Sequence, residues 1–116
     1  MGDFKKLKVW QKAHALAVAT DSIGARIRGP AHSSLRSQMI RSAMSVDANI
    51  VEGSGQKSDK EFARYLGIAV NSANELEAHL LMAVDTAALP KPKFLELLEQ
   101  VVEVRKMLHG LIKRLG

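Results

Sequence analysis

Apolar residues recur along the chain at alternating intervals of four and three, the period of one face of an α-helix. Val9, Ala13, Leu16, Thr20, Ile23 and Ile27 form the first such stripe and predict a helix over about residues 4–28, ended by Gly29-Pro30. A second helix, about 34–52, starts at a Ser33 or Ser34 cap and is closed by Gly53-Ser54-Gly55, with Gly53 able to take the left-handed conformation at low cost. Ser58-Asp59-Lys60-Glu61 reads as a capping box opening a third helix, about 58–88, with the stripe Phe62, Leu66, Ala69, Ala73, Leu76, Leu80 and Ala83. Leu89-Pro90-Lys91-Pro92 interrupts, and a fourth helix, about 92–115, carries Leu97, Val101, Val104, Leu108, Leu111 and Leu115. Four helices with short connections predict an all-α fold, an antiparallel up-down four-helix bundle, as a single domain over 1–116.

The second helix has more faces than a simple bundle needs. Leu35, Met39, Ala43, Val46 and Ile50 form its core stripe, while Ile40, Met44 and Val51 form another apolar stripe about 120° away. Between them runs a polar row, Gln38, Arg41, Ser45, Asn49 and Glu52. Leu7 and Trp10 are similarly displaced on the first helix, and Leu95, Leu98 and Val102 widen the fourth. Surplus apolar surface of this kind marks an interface, so a homo-oligomer is expected. A hairpin turning near Gly55 would set Arg41 level with Asn71 and Asn49 near Phe62. Arg41, Asn49, Asn71 and Glu75 are then expected to share partly buried hydrogen bonds that fix register or a subunit contact, against a plain solvated edge as the alternative.

Composition narrows the chemistry. Apolar residues make up 47% of the chain but aromatics only 4%, so the core must be aliphatic. The absence of cysteine removes disulfides, thiolate metal sites and cysteine nucleophiles together. The opening Met1-Gly2-Asp3-Phe4-Lys5-Lys6 has no apolar run of a signal peptide, and no stretch approaches the roughly 18 apolar residues of a membrane span. A cytoplasmic protein without membrane contact is the expectation.

No catalytic or metal constellation emerges. Di-iron bundles need Glu-x-x-His repeated on facing helices, whereas Glu75 and His79 are four apart and the second copy is missing. His14, His32, His79 and His109 fall in different elements without ligand spacing. Gly53-Ser54-Gly55-Gln56-Lys57-Ser58 lacks the Gly-Lys-Ser/Thr triplet of a phosphate loop and follows a helix rather than a strand. No serine sits in a nucleophile elbow. Neither a cofactor nor enzymatic activity is expected.

The net charge of +5 is unevenly spread. Residues 1–29 hold six Lys/Arg against two acids, residues 90–116 six against three, and residues 58–89 two against five. Because the first and last helices of an up-down bundle are neighbours, Lys5, Lys8 and Lys12 with Lys106 and Lys113 form a candidate shared patch for RNA or DNA phosphates. Only Trp10 accompanies it as an aromatic, so base stacking is not indicated. A solvated surface is the competing reading of these charges.

Several of these residues form a recognisable series: Phe4-x-x-Leu7-x-Val9-Trp10, then Gln38-x-x-Arg41-x-Ala43-x-Ser45-x-x-x-Asn49-Ile50-x-Glu52-Gly53, then Glu61-Phe62-x-x-Tyr65-Leu66-x-Ile68-Ala69 and Ser72-x-x-Glu75-Leu76. The series resembles the S23 family of 23S rRNA intervening-sequence proteins over nearly the whole chain. Gly29-Pro30-Ala31-His32 departs from that family's aromatic-Pro linker, and Val46 stands where Ile is common. The resemblance implies an up-down bundle assembled into a ring, a homopentamer, with some members encoded inside ribosomal RNA genes. It makes Trp10, Gln38, Arg41, Ser45, Asn49, Ile50, Glu52, Gly53 and Glu75 the motif residues, read here as an assembly element, and carries over no catalytic residue. A more distant relative is the accessory protein of diversity-generating retroelements, which implies nucleic acid and a reverse transcriptase or ribosomal component as partners. The functional expectation is a nucleic-acid or ribonucleoprotein accessory module, the alternative a scaffold that recruits a polypeptide without binding nucleic acid.

Overall fold

The structure, a computed structural model, describes residues 3–116; Met1 and Gly2 lie outside the described residues. A 3-10 turn, Phe4–Lys6, precedes α1 (Lys8–Gly24), a second, Pro30–His32, leads into α2 (Ser33–Ser54), and α3 (Asp59–Asp85) and α4 (Lys91–Leu115) follow. The helices pack in sequence order around a square, with α1 closing on α4, into a rod of 44 × 20 × 20 Å. The α1–α2 and α3–α4 connections share one end of the rod, and the α2–α3 turn occupies the other.

Every residue of the expected α1 and α3 stripes is buried. In α2 and α4 only Leu35, Leu111 and Leu115 are half-buried. Leu16, Met39, Ile50, Leu66, Leu76, Leu80, Leu97 and Leu108 are fully enclosed, each contributing on the order of 1.5–3 kcal/mol by its removal from water. Thr20, the polar member of the seam, donates its hydroxyl to Leu16 O at 2.7 Å and so leaves nothing unsatisfied.

The helix ends differ from the pattern-based expectation for local reasons. Asp3 Oδ1 accepts from the Lys5 amide and holds a 3-10 turn, and extended Leu7 separates that turn from α1. At the far end α1 stops at Gly24, and Ile27 continues into the core as part of the connection, its carbonyl accepting from Arg36 Nη1. Gly53 is not a left-handed cap: it stays helical and α2 runs on to Ser54. The reason is steric. A Cβ at Gly53 would lie 2.8 Å from Tyr65 Cβ and 2.9 Å from Phe62 Cδ1, so the missing side chain lets α3 approach. Only half of the capping box forms: the Glu61 amide donates to Ser58 Oγ, while the Glu61 carboxylate turns to Arg64. At the end of α3, Ala88 N donates to Ala83 O and Ala87 N to Val84 O, with Ala87 at φ 60°. This is a Schellman closure with alanine in the position glycine usually fills.

The α2–α3 register also departs from the expected one. Ser45 and Ser72 share a hydrogen bond of 2.8 Å, and Gly53 meets Phe62 and Tyr65. These contacts place Arg41 nearer the level of Glu75 than of Asn71, a slip of about one helical turn. Gly53 and Ser54 remain helical, so the hairpin turns later than Gly55.

Candidate nucleic-acid interface

Four cations without a carboxylate partner among the described residues gather where the start of α1 meets the end of α4. Lys6, Lys8, Lys106 and Arg114 surround a groove of about 530 Å³ floored by Leu7, Val9, Met107 and Leu111. Its lining includes no carboxylate. The local cause lies in two short segments. The 3-10 turn and extended Leu7 swing Lys6 onto the same side as Lys8, which an uninterrupted helix would not do. On α4, Lys106, Gly110 and Arg114 follow one another at intervals of four, and Gly110 contributes no side chain to obstruct the groove. Lys113 and Arg114 in the last turn also complement the negative end of the helix dipole.

The structure divides the expected basic residues. Lys8 and Lys106 line the groove together. Lys12 lies farther along the seam, 3.2 Å from Glu103, in an exposed pair worth about 0–1 kcal/mol that offsets its charge locally. Lys5 and Lys113 are exposed and outside the groove lining. Sequence reasoning missed Lys6 and Arg114. The four-residue row on α4 signalled Arg114, whereas nothing in the sequence announced the break at Leu7 that brings in Lys6.

The motif residues on α2 mostly act inside the bundle. Ile50 is wholly buried in the core, and Gly53 is the close contact with α3. Asn49 Nδ2 donates to Ser45 O at 2.8 Å and Ser45 Oγ at 3.2 Å, extending the Ser45–Ser72 bridge. Of the expected set Arg41, Asn49, Asn71 and Glu75, only Asn49 joins these bonds within the subunit, alongside Ser45 and Ser72. The register sets Arg41 near the level of Glu75 rather than Asn71, and Gln38, Arg41, Glu52, Asn71 and Glu75 are all exposed, as the solvated-edge alternative had it.

Trp10 belongs to a second cluster. Its Nε1–H donates to Asp47 Oδ1 at 2.7 Å, and His14 Nδ1 lies 2.7 Å from Asp47 Oδ2. A carboxylate only accepts, so Nδ1 carries the proton. The His14 ring stacks on Trp10 at 4.8 Å, and Phe4 meets Trp10 edge-on at 5.1 Å. Asp47 thus ties α1 to α2 and holds the segment before α1 through the indole. The sequence offered no spacing signal for this residue, because its two partners lie on another helix.

The sequence pattern of the family described as 23S rRNA-intervening sequence protein matches residues 5–110. The chain belongs to this family. The match takes in all four helices up to the last turn of α4, including the groove residues Lys6, Lys8 and Lys106. Among solved structures, the chain is similar to a protein of unknown function from the S23 ribosomal protein family of Bacteroides thetaiotaomicron. The two share 26% sequence identity at a TM-score of 0.84 over 90% of this chain and 98% of the other. Among curated proteins, none matches. No helix among the described residues is long and apolar enough to cross a membrane.

Proposed function

We propose that this family member is a non-enzymatic, homo-oligomeric accessory module of the cytoplasm that holds the phosphate backbone of a nucleic acid in the α1–α4 groove. The ring of five subunits implied by the family resemblance would repeat that groove and multiply its phosphate contacts. The observation that carries the reading is the set Lys6, Lys8, Lys106 and Arg114 around one groove with no acid in its lining. Cations so placed exchange condensed counterions for protein contacts, which makes binding steeply salt-dependent. The family's description makes structured RNA the first polyanion to test.

Filter binding to a structured RNA and to duplex DNA across a salt series tests it. Lys8→Ala with Lys106→Ala is expected to weaken binding and lower the salt slope by about two per subunit engaged. Lys12→Ala, already paired with Glu103, is expected to change it less. An absence of binding at low salt, or a slope indifferent to Lys8 and Lys106, would sink the proposal and favour the polypeptide-scaffold alternative.

A further inference from the structure

The α1–α4 groove carries more than charge. Beneath its cations, Leu7, Met107 and Leu111 are half-buried, each partly packed on the core and partly turned to the groove. A site for phosphate alone needs no such floor, because apolar surface left in water gains nothing from an anion. The carboxylates that flank these segments in sequence stay outside the lining. Glu103 is engaged by Lys12, and Asp3 accepts from the Lys5 amide. An occupant that satisfies the groove is anionic at the rim and apolar where it meets the floor.

Shape separates the two forms of nucleic acid. A duplex keeps its base faces stacked inside and shows only base edges, which are reached by a helix or ribbon protruding into one of its grooves. The surface here is recessed between two helices instead. A duplex lying across it touches the rim cations and leaves the floor in water. An unpaired strand has both parts, phosphates for the rim and bases that can be splayed out. Gly110 deepens the trough, since a Cβ there would meet nothing within 4 Å. Lys106 and Arg114 are eight residues apart on α4, about 12 Å along the axis. That is the length of about three nucleotides at roughly 3.4 Å each.

We infer that the groove takes an unpaired stretch of nucleic acid, with phosphates on Lys6, Lys8, Lys106 and Arg114 and bases laid on the Leu7–Met107–Leu111 floor. This rests on the nucleic-acid reading above and specifies the form of the strand. The floor is aliphatic, so the bases gain by leaving water and not by ring stacking, and no base is preferred over another. Charge alone predicts the opposite preference. A duplex carries one charge per about 1.7 Å of axis and a strand one per about 3.4 Å, so cations without a floor favour the duplex.

Three DNA ligands of equal length test this by fluorescence anisotropy across a salt series: an oligothymidylate, its abasic counterpart and a duplex. The oligothymidylate is expected to bind most tightly, roughly fivefold or more above the abasic strand, the lower end of what a base gains against an aromatic face. Met107→Gln is expected to erase that margin and leave the salt slope unchanged, because no cation is touched. Gly110→Gln fills the trough with a polar chain at a point free of packing contacts and is expected to do the same. An abasic strand bound as tightly as the oligothymidylate, or a margin that survives both variants, would remove the floor from recognition and overturn the inference. A duplex bound more tightly than the strand would overturn the unpaired form while leaving the nucleic-acid reading in place. Displacement of the oligothymidylate by poly-glutamate at equal charge would assign the groove to an acidic polypeptide instead. Failure of all three ligands to bind at low salt would defeat both readings.

Discussion

Trp10 and Asp47 are joined by a 2.7 Å hydrogen bond across 37 residues of sequence, and the second oxygen of Asp47 accepts a hydrogen bond from His14 Nδ1–H. One carboxylate thus satisfies an indole N–H and selects an imidazole tautomer. Asp47→Ala leaves the half-buried Trp10 donor without its partner and is expected to cost about 1–3 kcal/mol. Chemical unfolding followed by the fluorescence of the sole tryptophan reads this directly. Asp47→Asn retains an acceptor for Trp10 and presents an N–H to His14. It is expected to lose less stability and to switch neutral His14 to the Nε2–H form, visible in long-range nitrogen–proton NMR spectra. A His14 tautomer identical in both proteins would refute the role given to Asp47.

Gly53 and Gly67 predict opposite outcomes for the same substitution. Gly53→Ala drives a methyl group against Tyr65 Cβ and Phe62 and is expected to destabilise the fold by about 1–3 kcal/mol, as overpacking does. At Gly67, within α3, a Cβ meets nothing within 4 Å. There Gly67→Ala is expected to stabilise by about 0.5–1 kcal/mol through backbone entropy alone. Equal midpoints in denaturant for the two variants would contradict the account of α2–α3 packing.

Ala87 occupies the left-handed position that closes α3. Its Cβ makes that conformation costly, and glycine would adopt it freely. Ala87→Gly is expected to raise stability by up to about 1 kcal/mol, net of the extra freedom that glycine gives the unfolded chain. A drop in melting temperature would show that the strain assigned to Ala87 is absent.

The seams of the bundle were legible because burial imposes a periodicity that sequence preserves. Leu16, Leu66 and Leu97 occupy the positions their spacing implies. The helix ends were less legible because several depend on partners distant in sequence. Gly53 remains helical because Phe62 and Tyr65 pack against it, and α1 gives way to an irregular turn whose Ile27 carbonyl is claimed by Arg36. The polar row on α2 was visible as a row, but its partners required a register that a single turn residue does not set. Lys8 and Lys106 were legible as neighbours from topology. Lys6 depended on a 3-10 turn held by local bonds, the Lys5 amide to Asp3 Oδ1 and Gln11 Nε2 to Lys5 O among them, below the resolution of periodicity.

The close seam at Gly53 has a consequence for the order of folding. Helices α2 and α3 are adjacent in sequence, separated by a short turn, and their register is pinned by Ser45 against Ser72 and by Gly53 against Phe62. A pair joined by so short a loop loses little chain entropy in meeting, so this hairpin is expected to form first and to open last. The 3-10 turn at Phe4–Lys6 has no buried residue and stands at the other extreme. Amide exchange should therefore be slowest along the α2–α3 seam and fastest around Lys6. The groove would then gain its N-terminal cation in the last folding step and lose it in the first opening.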